Sequence, residues 1–132
     1  MIIKLTKADL LKGQPITPKW YAAEIKKIEH KASRDATSLN YVYTFSIPDA
    51  NDAEVDHYFN SKAPGMMAPF IAAILKKSLA EIIEGMESGT LDFDTDMPVG
   101  KRVMIEVKNE PYEGRLTNKI VGFLPEGAQT PF

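Results

Sequence analysis

Five segments of this chain alternate apolar and polar residues, and the stretch between the third and the fourth has helical spacing instead. The alternating segments are residues 20–31, 39–47, 54–60, 101–110 and 115–124. Such alternation indicates a strand with one buried face, because successive side chains of a strand point to opposite sides. Residues 69–86 place their apolar side chains on one helix face, and Pro69 suits a first helical turn. We therefore predict five strands, with a helical block between strands three and four.

This order of elements, β-β-β-α-β-β, is typical of a mainly β fold, the five-stranded Greek-key barrel of the OB type. An irregularity in the first strand supports the barrel. Tyr21, Ala23 and Ile25 share one face, but Ile28 has the opposite parity. A regular strand cannot bury both Ile25 and Ile28 on one side, so we expect a β-bulge at residues 26–27. Such a bulge lets a long strand curl and pair with two neighbours.

Length and composition indicate one domain without cysteine chemistry. The 132 residues suffice for one buried core, and we divide them into an N-terminal arm (1–18), an OB-fold domain (19–125) and a short C-terminal tail (126–132). The absence of cysteine excludes disulfides and thiolate metal sites. The chain has no apolar run of about 18 residues, and its start is too soon charged for a signal peptide. We therefore expect a cytoplasmic protein without membrane contact.

The sequence carries no catalytic or metal-binding signature. Its two histidines lack the spacing of a zinc site, and we expect His30 at the surface and His57 partly buried. Residues 92–96 resemble the start of a calcium loop, but Met97 replaces the required glycine. No HExxH, GxSxG, GxxxxGK[ST] or GxGxxG motif occurs. We therefore expect a non-enzymatic protein with no catalytic residue, no metal and no cofactor.

Aromatic rings and cations at outward positions of the strands are the better candidates for function. Proteins that hold single strands without base preference stack bases on flat rings and neutralise phosphates with Lys and Arg. If the apolar residues of each strand face inward, the residues between them face outward. The predicted nucleic-acid-binding residues are Trp20, Lys26, Lys27, Lys31, Arg34, Tyr58, Lys108, Tyr112, Arg115 and Lys119.

Two of these rings, Trp20 and Tyr112, are expected at the ends of structural elements. Trp20 is either a stacking platform or a plug at the end of the barrel, and Tyr112 is expected at the tip of a hairpin loop, residues 109–114. The net charge of −2 argues mildly against nucleic acid. Its distribution is more permissive, because residues 20–34 hold four cations against two acids while acid collects at residues 49–56 and 81–96.

Several motifs together resemble a known class of protein. They are residues 15–21 (PITPKWY), 39–47 (LNYVYTFSI), 57–60 (HYFN), 110–115 (EPYEGR) and 118–120 (NKI). In these, and over most of residues 15–125, the chain resembles phage-encoded OB-fold single-stranded DNA-binding proteins. The resemblance implies largely sequence-independent binding and protection of single-stranded DNA in phage replication or recombination, in the host cytoplasm. It implies single-stranded DNA as partner, together with replication or recombination proteins.

An alternative is an OB-fold protein-interaction module that recruits a replication or recombination partner through its helical block. Met66, Met67 and Met86 beside Phe70 would then form an adaptable apolar surface. The terminal Pro131-Phe132 matches the tip of the recruiting tail of bacterial single-stranded DNA-binding proteins, but the acidic residues of such tails do not precede it, so we favour a chance match. The sequence leaves the oligomeric state open.

Overall fold

The computed structural model describes residues 1–86 and 88–130, in which five strands form one antiparallel sheet of order β3-β2-β1-β4-β5. The terminal Pro131-Phe132 lies outside the described residues. The strands are β1 (Lys19–Ala32), β2 (Leu39–Ile47), β3 (Ala53–Asn60), β4 (Arg102–Tyr112) and β5 (Arg115–Pro125). The prediction of a mainly β fold with five strands is confirmed, and every strand end lies within two residues of its predicted position.

The bulge in β1 is present where the parity break predicts it. The register of β1 against β2 shifts between Ile25 and Lys27, so that Lys26 is the extra residue. As a result Ile25 pairs with Phe45 and Ile28 pairs with Tyr43, and both isoleucines pack on the core side of the sheet. On the other side of the bulge, β1 pairs with β4 from Lys19 to Glu24. The bulge thus lets β1 pair with both β2 and β4.

Helices occupy the predicted interval and also the N-terminal arm. Between β3 and β4 lie α2 (Ala68–Leu75) and α3 (Leu79–Glu84), and α1 (Lys7–Leu11) precedes β1. Short 3₁₀ turns occupy Pro48–Ala50 and Pro64–Met67. A left-handed Lys76 ends α2, and Ser78 begins α3 by a capping box with Glu81. The prediction missed α1, although Thr6 and Asp9 form the same kind of capping box there.

The core lies between one face of the sheet and α2, and it is built from aromatic rings. Phe70 of α2 is fully buried, with ring centroids at 4.8 Å from Tyr43, 5.3 Å from Phe59 and 5.2 Å from Phe123. Phe59 lies on β3 and Phe123 on β5, so the rings of the two edge strands approach each other to 6.2 Å. Within the described part of the chain no backbone ladder joins β3 to β5, and the sheet is open.

Two side-chain amides fix the end of the N-terminal arm to the sheet. Asn118 accepts a hydrogen bond from the Ile16 amide at 2.9 Å and donates one to the Gln14 carbonyl at 2.9 Å. Asn109, opposite Asn118 in the β4–β5 ladder, donates to the Ile16 carbonyl at 3.1 Å. Ile16 also packs against the core. Residues 14–16 are therefore part of the folded unit.

Among the described residues, no helix is both long and apolar enough to cross a membrane.

The connection between β4 and β5 is shorter than the predicted loop of residues 109–114. β4 continues through Pro111 to Tyr112, which pairs with Arg115 across a two-residue turn. The turn residues Glu113 and Gly114 both have positive φ, 49° and 82°. This is the conformation that two-residue hairpins adopt because it matches the twist of the strands. The predicted loop bounds are therefore wrong, since residues 109–112 belong to the ladder, whereas Tyr112 lies at the tip of the hairpin as predicted.

Replacing Gly114 by alanine is expected to lower the free energy of unfolding by about 1 kcal/mol, because a Cβ is disfavoured at positive φ. Urea unfolding monitored by circular dichroism measures this. Gly65→Ala is the matched control, because Gly65 lacks a positive φ and has open space at its Cβ position. The control should be neutral, and an equal loss in both variants would contradict the assigned turn.

Candidate nucleic-acid interface

The predicted binding residues on strands lie on the sheet face opposite the core, but they divide into two groups. Trp20, Lys108, Tyr112, Arg115 and Lys119 lie along the β4–β5 hairpin and the start of β1, and we call this group the hairpin face. Lys26, Lys27, Lys31 and Tyr58 lie on β1 and β3, and we call this group the β1–β3 face. Arg34 is exposed in the connection between β1 and β2.

Trp20 lies on the outer surface of the sheet over a glycine. It pairs with Glu106 of β4, which in turn pairs with Gly122 of β5. A Cβ at Gly122 would lie 3.0 Å from the indole Cη2, a tight contact that glycine avoids. The indole is half-buried and lies outside the core cluster. This position is on the outer surface and not at the end of a barrel, so the stacking platform stays the prediction for Trp20.

Two lysines face each other beyond Trp20 on the same surface. Lys108 and Lys119 are direct partners in the β4–β5 ladder, and both are exposed. Lys119 Nζ lies 3.3 Å from Glu110 Oε2, and both side chains are about half exposed, so this ion pair contributes little stability. Like charges at directly opposite positions of a ladder are destabilising. The pair therefore forms a place where an anion would be favourable.

Tyr112 and Arg115 end the hairpin face at the turn. They are ladder partners on the same side as Lys108 and Lys119, and the Tyr112 side chain is 60% exposed. The order along the hairpin is thus Trp20, two opposed lysines, then a tyrosine beside an arginine. At about 3.4 Å per residue, the six steps from Glu106 to Tyr112 span about 20 Å. The hairpin face is an exposed strip that offers rings and cations together.

The lysines of the β1–β3 face are paired with carboxylates. Nζ–Oε distances are 2.7 Å for Lys26–Glu24, 3.2 Å for Lys27–Glu29 and 3.4 Å for Lys31–Glu29. The hydrogen bond from Lys26 lowers the pKa of Glu24, and the one from Lys27 lowers that of Glu29. Four cations, the three lysines and Arg102 beside Glu24, here meet five acids, which are Glu24, Glu29, Asp52, Glu54 and Asp56.

The balance on the hairpin face is different. Its three cations, Lys108, Arg115 and Lys119, meet three acids, Glu106, Glu110 and Glu113. Tyr58 on the β1–β3 face is 59% exposed, as the parity of β3 predicts, but its strand neighbour on the same side is Asp56. Of the two faces, the hairpin face is therefore the less repulsive to phosphate. The sequence indicated a basic β1, but it did not show that acids of β3 would lie beside those lysines.

His57 is an imidazole packed at the seam between the edge strands. Its ring centroid lies 4.7 Å from Phe59 and 5.4 Å from Phe123 of β5. Burial, with a smaller effect from the nearby Lys119 ammonium, lowers the pKa of His57 to about 4. The ring is therefore neutral at neutral pH, and it serves packing in the apolar seam. His30 is exposed, with Nε2 3.0 Å from Thr95 Oγ1.

Stability is expected to fall as the pH falls from about 6.5 towards 4, because the unfolded chain protonates His57 where the folded chain does not. His57→Phe should remove this part of the pH dependence, since phenylalanine fits the aromatic seam without titrating. Urea titration at pH 7 and at pH 5 measures the free energies of unfolding of the wild type and the variant. The difference between the two proteins at each pH isolates the effect of His57, because the carboxylates are common to both. We expect the variant to gain about 1–2 kcal/mol relative to the wild type at pH 5. An unchanged difference would show that His57 titrates normally.

An apolar groove lies apart from both faces, between the helices and the segment 91–95. It has a volume of about 490 Å³, and its lining includes Tyr41, Met67, Ile71, Ile83, Met86, Leu91 and Phe93. Of the predicted apolar surface, Met67 and Met86 line this groove and Met66 is exposed, whereas Phe70 lies in the core. We call it the helical groove. Leu91, Phe93 and Thr95 form the outer wall of the groove. Their alternation with aspartates is the sequence signal that could have predicted this wall.

The described residues hold no group of three or more His, Asp or Glu side chains that would bind a metal ion. No protein-family model matches the chain, and no curated protein sequence matches it.

Proposed function

We propose that this protein binds single-stranded DNA without enzymatic turnover and that the strand lies along the hairpin face. The observation that carries the proposal is the opposed pair Lys108 and Lys119, exposed between Trp20 and Tyr112. A phosphate between two opposed ammonium groups relieves their repulsion. The rings on either side then stack on bases, and such stacking tolerates any base. Arg115 supplies a further cation next to Tyr112.

The proposal extends to the fold, which we assign to an OB-type Greek-key barrel. The double pairing of β1 through its bulge supports it, as do the 5.4–6.2 Å ring contacts of Phe123 with His57 and Phe59 across the seam. In OB folds the face of strands 2 and 3 and the loops 1–2 and 4–5 bind oligonucleotides. The hairpin face corresponds to the 4–5 connection, and Arg34 lies in the 1–2 connection. Because acids lie on the β1–β3 face, we expect the DNA to contact the hairpin face instead.

The biological role we assign is protection of displaced strands during phage replication or recombination, as the resemblance of the sequence implies. Affinity would come from cations and rings, without readout of base edges. Binding would therefore fall steeply with salt and depend weakly on sequence. The lysines of the β1–β3 face remain with Glu24 and Glu29 and add little to the affinity.

Tyr112→Ala tests where the strand lies. We expect it to weaken the binding of a fluorescein-labelled oligo(dT) by about tenfold in an anisotropy titration, because one stacked base contributes about 1–3 kcal/mol. Tyr58→Ala is the matched control, since Tyr58 is equally exposed but lies on the β1–β3 face. Its affinity should match the wild type. The opposite result, a loss with Tyr58→Ala alone, would place the strand on the β1–β3 face.

The helical groove favours a second candidate function, the protein-interaction module. The groove presents exposed apolar side chains, among them Leu79, Ile83 and Leu91, which a soluble partner would cover. If the protein acts through this groove, oligo(dT) should give no saturable binding. A partner captured from lysate should then resist nuclease treatment and be lost with Ile83→Asp.

A further inference from the structure

The N-terminal segment is apolar, basic and exposed. Ile2 is 93% exposed, Ile3 67% and Leu5 58%. Residues 1–12 contain three lysines and one aspartate. Exposing three large aliphatic side chains within five residues is unfavourable, because burial would remove their apolar surface from water. The segment therefore has the composition of a peptide that docks through apolar side chains and is steered by positive charge.

The helical groove is complementary to this segment in both respects. Its lining is predominantly apolar, and a volume of about 490 Å³ is in the range of pockets that bury a ligand. The lining residues are themselves uncharged, but the chain segments that carry them, residues 61–71, 79–86 and 91–95, hold four acids that flank the groove, against Lys62 and, close to Glu81, Lys77. The acids are exposed, and they are Glu81, Glu84, Asp92 and Asp94.

We propose that residues 1–5 of one copy dock into the helical groove of a second copy, so that copies of this chain associate head to tail. The Ile2, Ile3 and Leu5 side chains would fill the groove, while Lys4 and Lys7 would face its acids. Each copy carries one arm and one groove on different surfaces. The contact is therefore heterologous, and it generates a ring or an open chain of copies.

The structure favours a second copy over the arm's own groove. Asn109 and Asn118 hold residues 14–16 at the β4–β5 ladder, whereas the groove lies at the helices. In the single copy Ile2 and Ile3 are exposed, so its arm does not occupy its own groove. The proposal does not depend on DNA binding, since neither element belongs to the hairpin face.

Sedimentation equilibrium without DNA tests the proposal with three proteins and one mixture. The wild type should increase in mass as its concentration rises, to a closed ring of two or more copies or to an open chain. An arm variant, Ile2→Asp with Ile3→Asp, and a groove variant, Ile83→Asp, should each stay monomeric. An equimolar mixture of the two variants should form a dimer and nothing larger, because it contains one intact arm and one intact groove per pair. All substituted side chains are exposed, so circular dichroism should show an unchanged fold.

Leu116→Asp is the control, since Leu116 is an exposed apolar residue on β5 outside the groove, and it should associate like the wild type. A wild type that remains monomeric at all concentrations overturns the proposal. So does association that persists in either single variant, or a mixture that remains monomeric. An arm that docks in its own groove would give this monomeric wild type.

Discussion

Replacement of Phe70 by alanine is expected to lower the free energy of unfolding by about 3–5 kcal/mol. Phe70 is fully buried at the centre of the aromatic cluster, in contact with rings from β2, β3 and β5. Its loss leaves a cavity between α2 and the sheet, which rigid neighbouring rings fill poorly. Urea unfolding, monitored by circular dichroism, measures the loss.

Ile83→Ala is the control for this substitution. Ile83 lies on α3 and is 59% exposed, so its truncation should change the free energy of unfolding by less than about 0.5 kcal/mol. The two variants together test whether α2 closes the core and α3 lies on its surface. A loss of less than about 1 kcal/mol for Phe70→Ala would contradict the packing described for α2.

Charge reversal of the opposed lysines, Lys108→Glu with Lys119→Glu, is expected to weaken binding of oligo(dT) by about 100-fold or more at low salt. The two substitutions remove two phosphate contacts and place acids beside Glu106 and Glu110. The slope of log K against log salt should also become shallower by about 1.4, which is about 0.7 for each lost contact. Anisotropy titrations at several salt concentrations measure both quantities.

Lys26→Glu with Lys27→Glu changes the net charge by the same amount and serves as the control. Asp52, Glu54 and Asp56 lie near these lysines in addition to their partners Glu24 and Glu29, so the control should lose less than about tenfold and keep its salt slope. Equal losses in the two double variants would mean that only net charge matters. The assignment of the strand to the hairpin face would then be wrong.

The strand pattern was readable from the sequence because each strand buries one face. β2 has the predicted bounds, and the parity break between Ile25 and Ile28 located the bulge. The hairpin loop was predicted too long, because β4 continues through Pro111. In the structure β1 pairs with β4 only as far as Val107, so one edge of β4 is free at Pro111, where a missing donor is tolerated.

The parts of the candidate site that depend on tertiary placement were not readable. Nothing in the sequence indicates that Glu54 and Asp56 of β3 approach Lys27, or that Lys108 and Lys119 are ladder partners. Both depend on the register between strands, and a register shift of one residue moves every side chain of a strand to the other face of the sheet. The amide clamp of Asn109 and Asn118 on the arm has the same origin. The outward rings and cations were predicted, but their division into two faces follows from the register.

The most direct test of the proposed DNA binding is a titration of the intrinsic fluorescence of Trp20 with unlabelled oligo(dT) at low salt. Trp20 is the only tryptophan of the chain, and its indole lies on the hairpin face over Gly122. We expect a saturable change in emission that reverses on addition of salt. An emission that stays unchanged, together with no rise in the anisotropy of a labelled oligo(dT), would contradict the proposal that this protein binds single-stranded DNA.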